Sequence, residues 1–568
     1  MNRDNDLRLV NADLQHCQSL SGFHEALRTE LYRQKLRKKT RHRLIHTPSR
    51  QIPHHVLRSV STSSKAEILG PTLSYRAKGP TSITQSERTR HTKRRKMALS
   101  SRELSREDER GSDTLSAQPY SELDVEKRCA SQRGALPPDA RSPPEVTWPE
   151  LSRGILCSLL VKVASLRTCF RQRGRELWLC EMMEPQIDFQ VIRNANLETV
   201  IDNLIVKPFA KPAVEPVWLA RLLKTSDEPS YCGSELKDFP HQYNFVFSFH
   251  HGAVDGISGL LILTAFQKLL EDVVTGAYID QEQYGRLVSE EETMKLEREA
   301  LDKLEDNPEE LQRLVDEMAG TLSTPLINQA FGTPAKEEFP TRILQRIFKA
   351  HQLRAFQGRC RSHEITLNSA LASVINTALV ELVAEAGLER DAYTITSQHA
   401  INKRRYWKGN NSTVLGNHVG PMSHTMHTPR GNRKNFWAYA KRFDAEFRKK
   451  LKEGYIFQEK IIRSKLLPED YSHEAFYSSP PPTVYDYFMT NIVIPHKFEH
   501  GTGKVIQLTE YRNLCNISRC DYPMIHMLND MSQEDVNYTL MYATGRLSHD
   551  TAQAFLDKIM DVLSYAVK

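Results

Sequence analysis

The stretch Gln242-Tyr243-Asn244-Phe245-Val246-Phe247-Ser248-Phe249-His250-His251-Gly252-Ala253-Val254-Asp255-Gly256 decides how the rest of this sequence is read. Its first eight residues are rich in aromatic side chains and read as a buried β-strand. Two adjacent imidazoles follow, with a carboxylate four residues after the second and then a glycine, a residue that permits tight backbone geometry. Beyond them, the run from Asp255 to Val273 sets Leu260, Leu263, Phe266 and Leu270 on one helical face. The His-His-x-x-x-Asp-Gly pattern therefore sits where a strand hands over to a helix, a place from which a loop can aim a side chain into a cleft. A lone His-His pair at a strand end reads as a satisfied, partly buried pair, but the fixed Asp-Gly spacing turns the reading toward chemistry. A neutral imidazole near pH 7 suits removal of a proton from an attacking hydroxyl or amine. No G-x-S-x-G elbow offers a nucleophile of its own.

On the amino-terminal side, residues 151–170 read as a short amphipathic helix running into a strand. Residues 168–182 then read as a hairpin with its turn at Arg173-Gly174. On the carboxyl-terminal side, two Glu/Lys-rich helices over 290–321 read as an exposed lid or connection. Residues 339–356 suggest a strand entering a helix, and 367–387 a long helix ended by Gly387. Strands follow at 392–400, 484–495, 503–512, 524–530 and 537–545, with a helix at 436–454 and a closing helix at 551–567. Mixed strands and helices without strict alternation predict layered α/β or α+β sheets. The residues group into two subdomains, 146–325 with the histidine motif and 335–568.

The 568 residues carry a net charge of +7, but 28 Lys/Arg against 18 Asp/Glu fall in residues 1–150 and 49 against 52 in the remainder. Residues 1–145 lack sustained hydrophobic periodicity and are rich in Ser, Arg, Thr and Pro, so they read as a disordered basic segment. Lys93-Arg94-Arg95-Lys96 has the composition of a nuclear-localisation or polyanion patch, a pattern common in solvated tails. The near-neutral body gives a nucleic-acid function no support. The start of the chain has no signal-peptide character and no run of about 18 apolar residues is evident, so the expectation is a cytoplasmic protein without a membrane span. Nine scattered cysteines without a CxxC pair read as reduced thiols, and His418, His424 and His427 as loop histidines with no metal.

The pattern His250-His251-Gly252-Ala253-Val254-Asp255-Gly256 resembles the active-site motif of the superfamily that includes chloramphenicol acetyltransferase, plant and alcohol acyltransferases and the condensation domains of nonribosomal peptide synthesis. Three further segments resemble the same superfamily. Leu166, Arg167, Thr168 and Phe170 match its Leu-Arg-Thr-x-Phe segment, although Lys162 stands where the first arginine of that segment is expected. Ile401-Asn402-Lys403-Arg404 and Leu415-Gly416-Asn417-His418 are similar to its Asn-Leu-Arg strand end and Leu-Gly-Asn loop. Thr490-Asn491 is similar to a strand that floors the channel.

The resemblance implies two chloramphenicol-acetyltransferase-like subdomains in a V with a channel between them. His251 would be the general base, His250 a supporting residue, and Asp255 a structural ion-pair member. Gly256 would keep the loop tight, and Asn417, Thr490 and Asn491 would line the channel. It leaves Lys162 or Arg167 to pair with Asp255, the lysine without the bidentate fork of an arginine. It implies no tightly bound cofactor, acyl-CoA as cosubstrate, a small alcohol or amine as acceptor, and a carrier protein as the alternative acyl donor. From a different class, a non-catalytic binding module of the same fold is the competing expectation. The family's usual opening strand and helix have no counterpart in 100–150, which would leave an unpaired sheet edge.

Overall fold

The structure, a computed structural model, describes residues 8–12 and 148–568 apart from 174–175, 183, 207–214, 225–242, 276, 281, 289, 335–338, 467–481, 493–510 and 531–534. Contacts divide the chain into two units. Nearly all of the described residues belong to the first, Met1–Pro71 with Thr147–Arg171 and Leu177–Lys568. The basic cluster at 93–96, Gly174 of the expected hairpin turn and residues 503–510 of an expected strand lie outside the described residues.

Strand β1 (Arg8–Ala12) comes from the segment expected to lack order. It pairs in parallel with β6 (Tyr243–Phe249), the strand that leads into the histidine motif. A sheet neighbour thus comes from residues 8–12, far upstream of the 100–150 region where the family's opening strand was sought. Helix α1 (Trp148–Lys162) follows, then a 3-10 turn (Ala164–Arg167), β2 (Thr168–Arg173) and β3 (Glu176–Glu181), which form a two-stranded sheet. Next come β4 (Phe189–Ile192), α2 (Leu197–Val206) and β5 (Trp218–Lys224), none of them evident in the sequence pattern. The first large sheet has the order β1-β6-β5-β4, with β5 antiparallel to β6 and parallel to β4.

All seven residues of β6 are buried, in keeping with its continuous apolar reading. Phe245, Phe247 and Phe249 face α1 and α3 (Gly256–Thr275), whose Leu260, Leu263, Phe266 and Leu270 fill that core as the helical periodicity predicts. Val246, on the opposite face of β6, belongs to a second core shared with α2, β5 and strands of the carboxyl-terminal sheet. The next segment holds β7 (Arg286–Leu287), α4 (Glu291–Glu305) and α5 (Pro308–Thr321). These last two helices are the expected Glu/Lys-rich pair. They are less detached than a lid: α5 puts Val315 and Met318 into a small core with Ile462 and Leu466.

The carboxyl-terminal half contains α6 (Leu326–Phe331), β8 (Thr341–Lys349), α7 (Ala350–Ser362), α8 (Leu367–Glu385), β9 (Ala392–Asn402), β10 (Val414–Leu415) and β11 (Val419–Pro429). After these come α9 (Phe436–Lys452), α10 (Tyr455–Lys465), β12 (Tyr487–Ile492), β13 (Met524–Asp530), β14 (Asp535–Ala543) and α11 (His549–Val567). Its six-stranded sheet runs β11-β9-β12-β13-β14-β8, with β12 parallel to both neighbours and the remaining pairs antiparallel. Helices α7, α8, α9 and α11 cover one face and enclose the largest core.

Helix α8 is long and apolar enough to cross a membrane, an exception to the expectation that no such stretch exists, but 78% of its apolar window is buried inside the protein. It is therefore placed as the central core helix of this half. Gly387, just past α8, has φ +92°, the left-handed backbone that ends helices. His424 and His427 lie on strand β11 and not in a loop, which corrects that expectation. His424 packs edge-on to Phe443 and Phe447, His427 bonds Thr394, and His418 bonds the Leu415 carbonyl, so the three diverge. No cluster of metal-binding side chains occurs among the described residues.

Candidate active site

The junction between β6 and α3 is built from backbone outward. The His250 N–H donates to Val217 O at 2.7 Å, which keeps the end of β6 in register with β5. The His250 ring lies edge-on to Phe170, 4.9 Å between centroids, and its Nδ1 accepts the Gly252 N–H at 3.1 Å. A side chain at Gly252 would crowd both rings, since a Cβ there would sit 3.0 Å from Phe170 and 3.1 Å from His250 Nδ1, close enough that a ring must give by a few tenths of an ångström. His250 is thus a scaffold residue of the turn. His251, the next residue, is half-buried. Desolvation lowers its pKa below the ordinary value, opposed by a hydrogen bond to its own backbone and by the charge of Asp255. The imidazole is accordingly neutral at pH 7, the form that can accept a proton.

Asp255 turns into a buried network. Its Oδ2 accepts from Arg404 Nη1 at 2.6 Å and from the His418 N–H at 2.8 Å, and its Oδ1 accepts from the Ser258 N–H at 2.9 Å and Arg404 Nη2 at 3.3 Å. Burial alone would raise the Asp255 pKa. The Arg404 charge and these hydrogen bonds hold it below the ordinary value, so the pair is ionic. Arg404 is only 5% exposed and its other donors are also engaged: Nε reaches Val414 O at 3.1 Å, and Nη2 reaches Ser258 Oγ at 3.0 Å and Gly416 O at 3.1 Å. Ser258 Oγ in turn donates to Gly416 O at 2.7 Å and accepts the Gly416 N–H at 3.0 Å. The start of α3 is thereby sewn to the loop between β10 and β11, and β7 paired in parallel with β10 holds that loop from the other side.

The ion-pair partner is therefore neither Lys162 nor Arg167. Lys162 bonds Asp280 and donates to Glu282 O at 3.0 Å, while Arg167 bonds Glu181 at 2.8 Å and the carbonyls of Leu160 and Val161. Each is satisfied within its own neighbourhood and has no reason to reach Asp255. Gly256 opens α3 with helical backbone, and the left-handed position the loop needs falls instead on Gly416, at φ +121°. A Cβ at Gly416 would sit 2.6 Å from His418 Nε2.

Asn417 caps its own loop, accepting the Val419 N–H at 3.4 Å. Thr490 and Asn491 point to opposite faces of β12. Asn491 turns toward α8, donating to Asn368 at 3.0 Å and accepting the Leu528 N–H at 3.1 Å, so it braces strand to helix. Thr490 shares the face of Phe488, which packs on the core between the two sheets. In the sequence Arg404 and Gly416 stand in family-like segments with no sign of their joint role, and Ser258, three residues after Asp255, carries no motif of its own.

No family model matches the sequence, and the search among curated proteins finds no match. Solved structures do resemble the fold. The first condensation domain of the calcium-dependent antibiotic synthetase, in complex with a substrate analogue, aligns at TM-score 0.50 and 10% identity over 74% of this chain and 89% of that one. The epimerization domain from the third module of tyrocidine synthetase B aligns at 0.47 and 13% over 73% and 88%. The EpoB cyclization-docking bidomain from Sorangium cellulosum aligns at 0.49 and 13% over 74% and 76%. With its two mixed sheets and the histidine motif at the end of β6, this chain has the fold of the condensation domains.

Proposed function

We propose that this protein is an acyltransferase that forms an ester or an amide, with His251 as its general base. The observation that carries the reading is a half-buried imidazole, kept neutral by desolvation, at the end of a fully buried strand, followed by a turn that a buried Asp255–Arg404 pair locks in place. The acceptor is an alcohol or amine and the donor a thioester, acyl-CoA being the first choice. His251 takes the acceptor proton as the acceptor oxygen or nitrogen bonds to the thioester carbonyl carbon. The tetrahedral oxyanion then collapses, the C–S bond breaks, and the imidazolium returns its proton to the departing thiolate. The likeness to condensation domains favours a second donor within the same chemistry, an acyl group held on a carrier protein.

The test is thiol release by the purified full chain from a panel of acyl-CoAs with small alcohols and amines. His251→Ala is expected to abolish release while leaving the melting temperature unchanged. The acid limb of the wild-type rate should fall below pH 6.5, because a base with a lowered pKa stays competent to lower pH. Equal activity in His251→Ala refutes the assignment of the base.

A further inference from the structure

Helix α4 is mostly charged, yet two of its polar side chains are buried one turn apart on the same face: Thr293 at 2% and Glu297 at 3% exposure. Both reach the segment that carries Arg404. Thr293 Oγ1 accepts the indole N–H of Trp407 at 3.2 Å. The Trp407 ring lies edge-on to the His418 imidazole, 4.6 Å between centroids, and the His418 N–H is one of the four donors that fix the Asp255 carboxylate. Glu297 lies between Lys403, 3.7 Å away, and Lys460 of α10, to which it is ion-paired. Lys403 is the residue before Arg404, and its N–H donates to His418 O at 2.7 Å. Two struts thus leave one face of α4 and converge on the residues that hold Asp255, whose charge raises the pKa of His251.

We propose that Thr293, Glu297 and Trp407 are positioning residues for the reaction, coupling the α4–α5 helical pair to the set of the His251 turn. The inference rests on the acyl-transfer reading for its consequence in turnover, but not for its consequence at the imidazole. Burying a carboxylate beside two ammonium groups, and a tryptophan N–H on a threonine, fixes a surface helix to the catalytic scaffold far more firmly than its exposed Glu/Lys side chains would. A partner that tilts α4 would therefore move Arg404 and Asp255 together.

The experiment uses the full chain with Thr293→Val, Trp407→Phe, their double variant and Glu297→Gln, alongside Glu299→Gln as an exposed control of the same charge change on the same helix. Two quantities are read: kcat and KM for acyl-CoA with an accepted acceptor, and the titration of His251 by NMR of histidine-labelled protein. Losing one buried hydrogen bond at this distance should lower kcat about fivefold with KM held within about twofold. The double variant should fall no further than the lower single, because the two changes remove the same bond. The His251 titration should shift in each variant and stay fixed in Glu299→Gln. Folded variants with unchanged kcat and an unmoved His251 titration overturn the proposal, as does a rise in KM at constant kcat. A wild type that transfers no acyl group, with His251 titrations that still shift, leaves the coupling standing and removes the acyl-transfer reading instead.

Discussion

Acid should unfold this protein by a route that its carboxylates do not supply. His399 on β9 and His526 on β13 are buried on the helix-covered face of the six-stranded sheet, and desolvation pushes each pKa down to about 3. His399 is packed edge-on to Phe443 and Phe447, with Lys450 of α9 repelling a proton further. His526 lies against Tyr487, Tyr538 and Phe555. In the unfolded chain both titrate near the ordinary value of about 6.5. Because the folded value is depressed, each histidine's contribution is whole above pH 6.5 and is lost as the pH falls toward 3, the unfolded state taking protons that the native state refuses. At pH 4.5, two units below 6.5, the loss is about 2.7 kcal/mol per histidine and about 5 kcal/mol for the two.

Asp486 works in the opposite sense. It is buried, accepts the N–H groups of Leu326 and Thr396, and is pushed up to about 6, so its protonation stabilises the fold by about 2 kcal/mol at pH 4.5. The net loss of about 3 kcal/mol is a large share of a typical stability of about 5–15 kcal/mol. His424, lowered in the same way, adds to it. The assay is urea unfolding of wild type and His399→Leu at pH 7.5, 6.0, 5.0 and 4.5. This variant is chosen because Ser397 Oγ, which bonds the His399 ring, keeps the His424 carbonyl as a partner. The slope of stability against pH between 6 and 4.5 should fall by about 1.4 kcal/mol per unit, one proton's worth. Identical slopes would refute the reasoning.

Two further outcomes follow from the site network. Asp255→Ala leaves the Arg404 guanidinium buried without its counter-charge and should cost about 3–5 kcal/mol in urea unfolding, whereas Asp255→Ala with Arg404→Met should recover at least half of that. Gly416→Ala forces a Cβ onto the His418 ring at a φ of +121° and should cost about 1–3 kcal/mol, with His418→Ala in the same chain removing the collision but not the backbone strain, as thermal melts will separate.

Much of the scaffold was legible because its hydrophobic pattern matched its period. The aromatic run of β6, the stripe on α3 and the closing helix α11 all read from spacing alone. Strand β11 did not, for a physical reason. Its Ser423, His424 and Thr428 are polar yet buried, and its edge position tolerates Pro421 and Pro429, so neither alternation nor composition announces a strand. In the site, His251 and Asp255 were visible because local spacing carries them. The pairing of Arg404 with Asp255 was not, since the two meet across 149 residues. The sequence offered Lys162 and Arg167 as nearer cations, and local acids satisfy both.

Helix α8 has a consequence in time. It shares its core with α11, the last element of the chain. At about 5–20 residues per second, α11 is synthesised roughly ten to thirty seconds after α8. Through that interval this helix lacks one of its principal walls, and to a targeting or chaperone system it is a membrane-length greasy segment on a nascent chain. Premature termination anywhere before residue 549 makes that interval permanent. Helix α11 therefore decides whether α8 ends as a core helix or stays an apolar segment open to quality control.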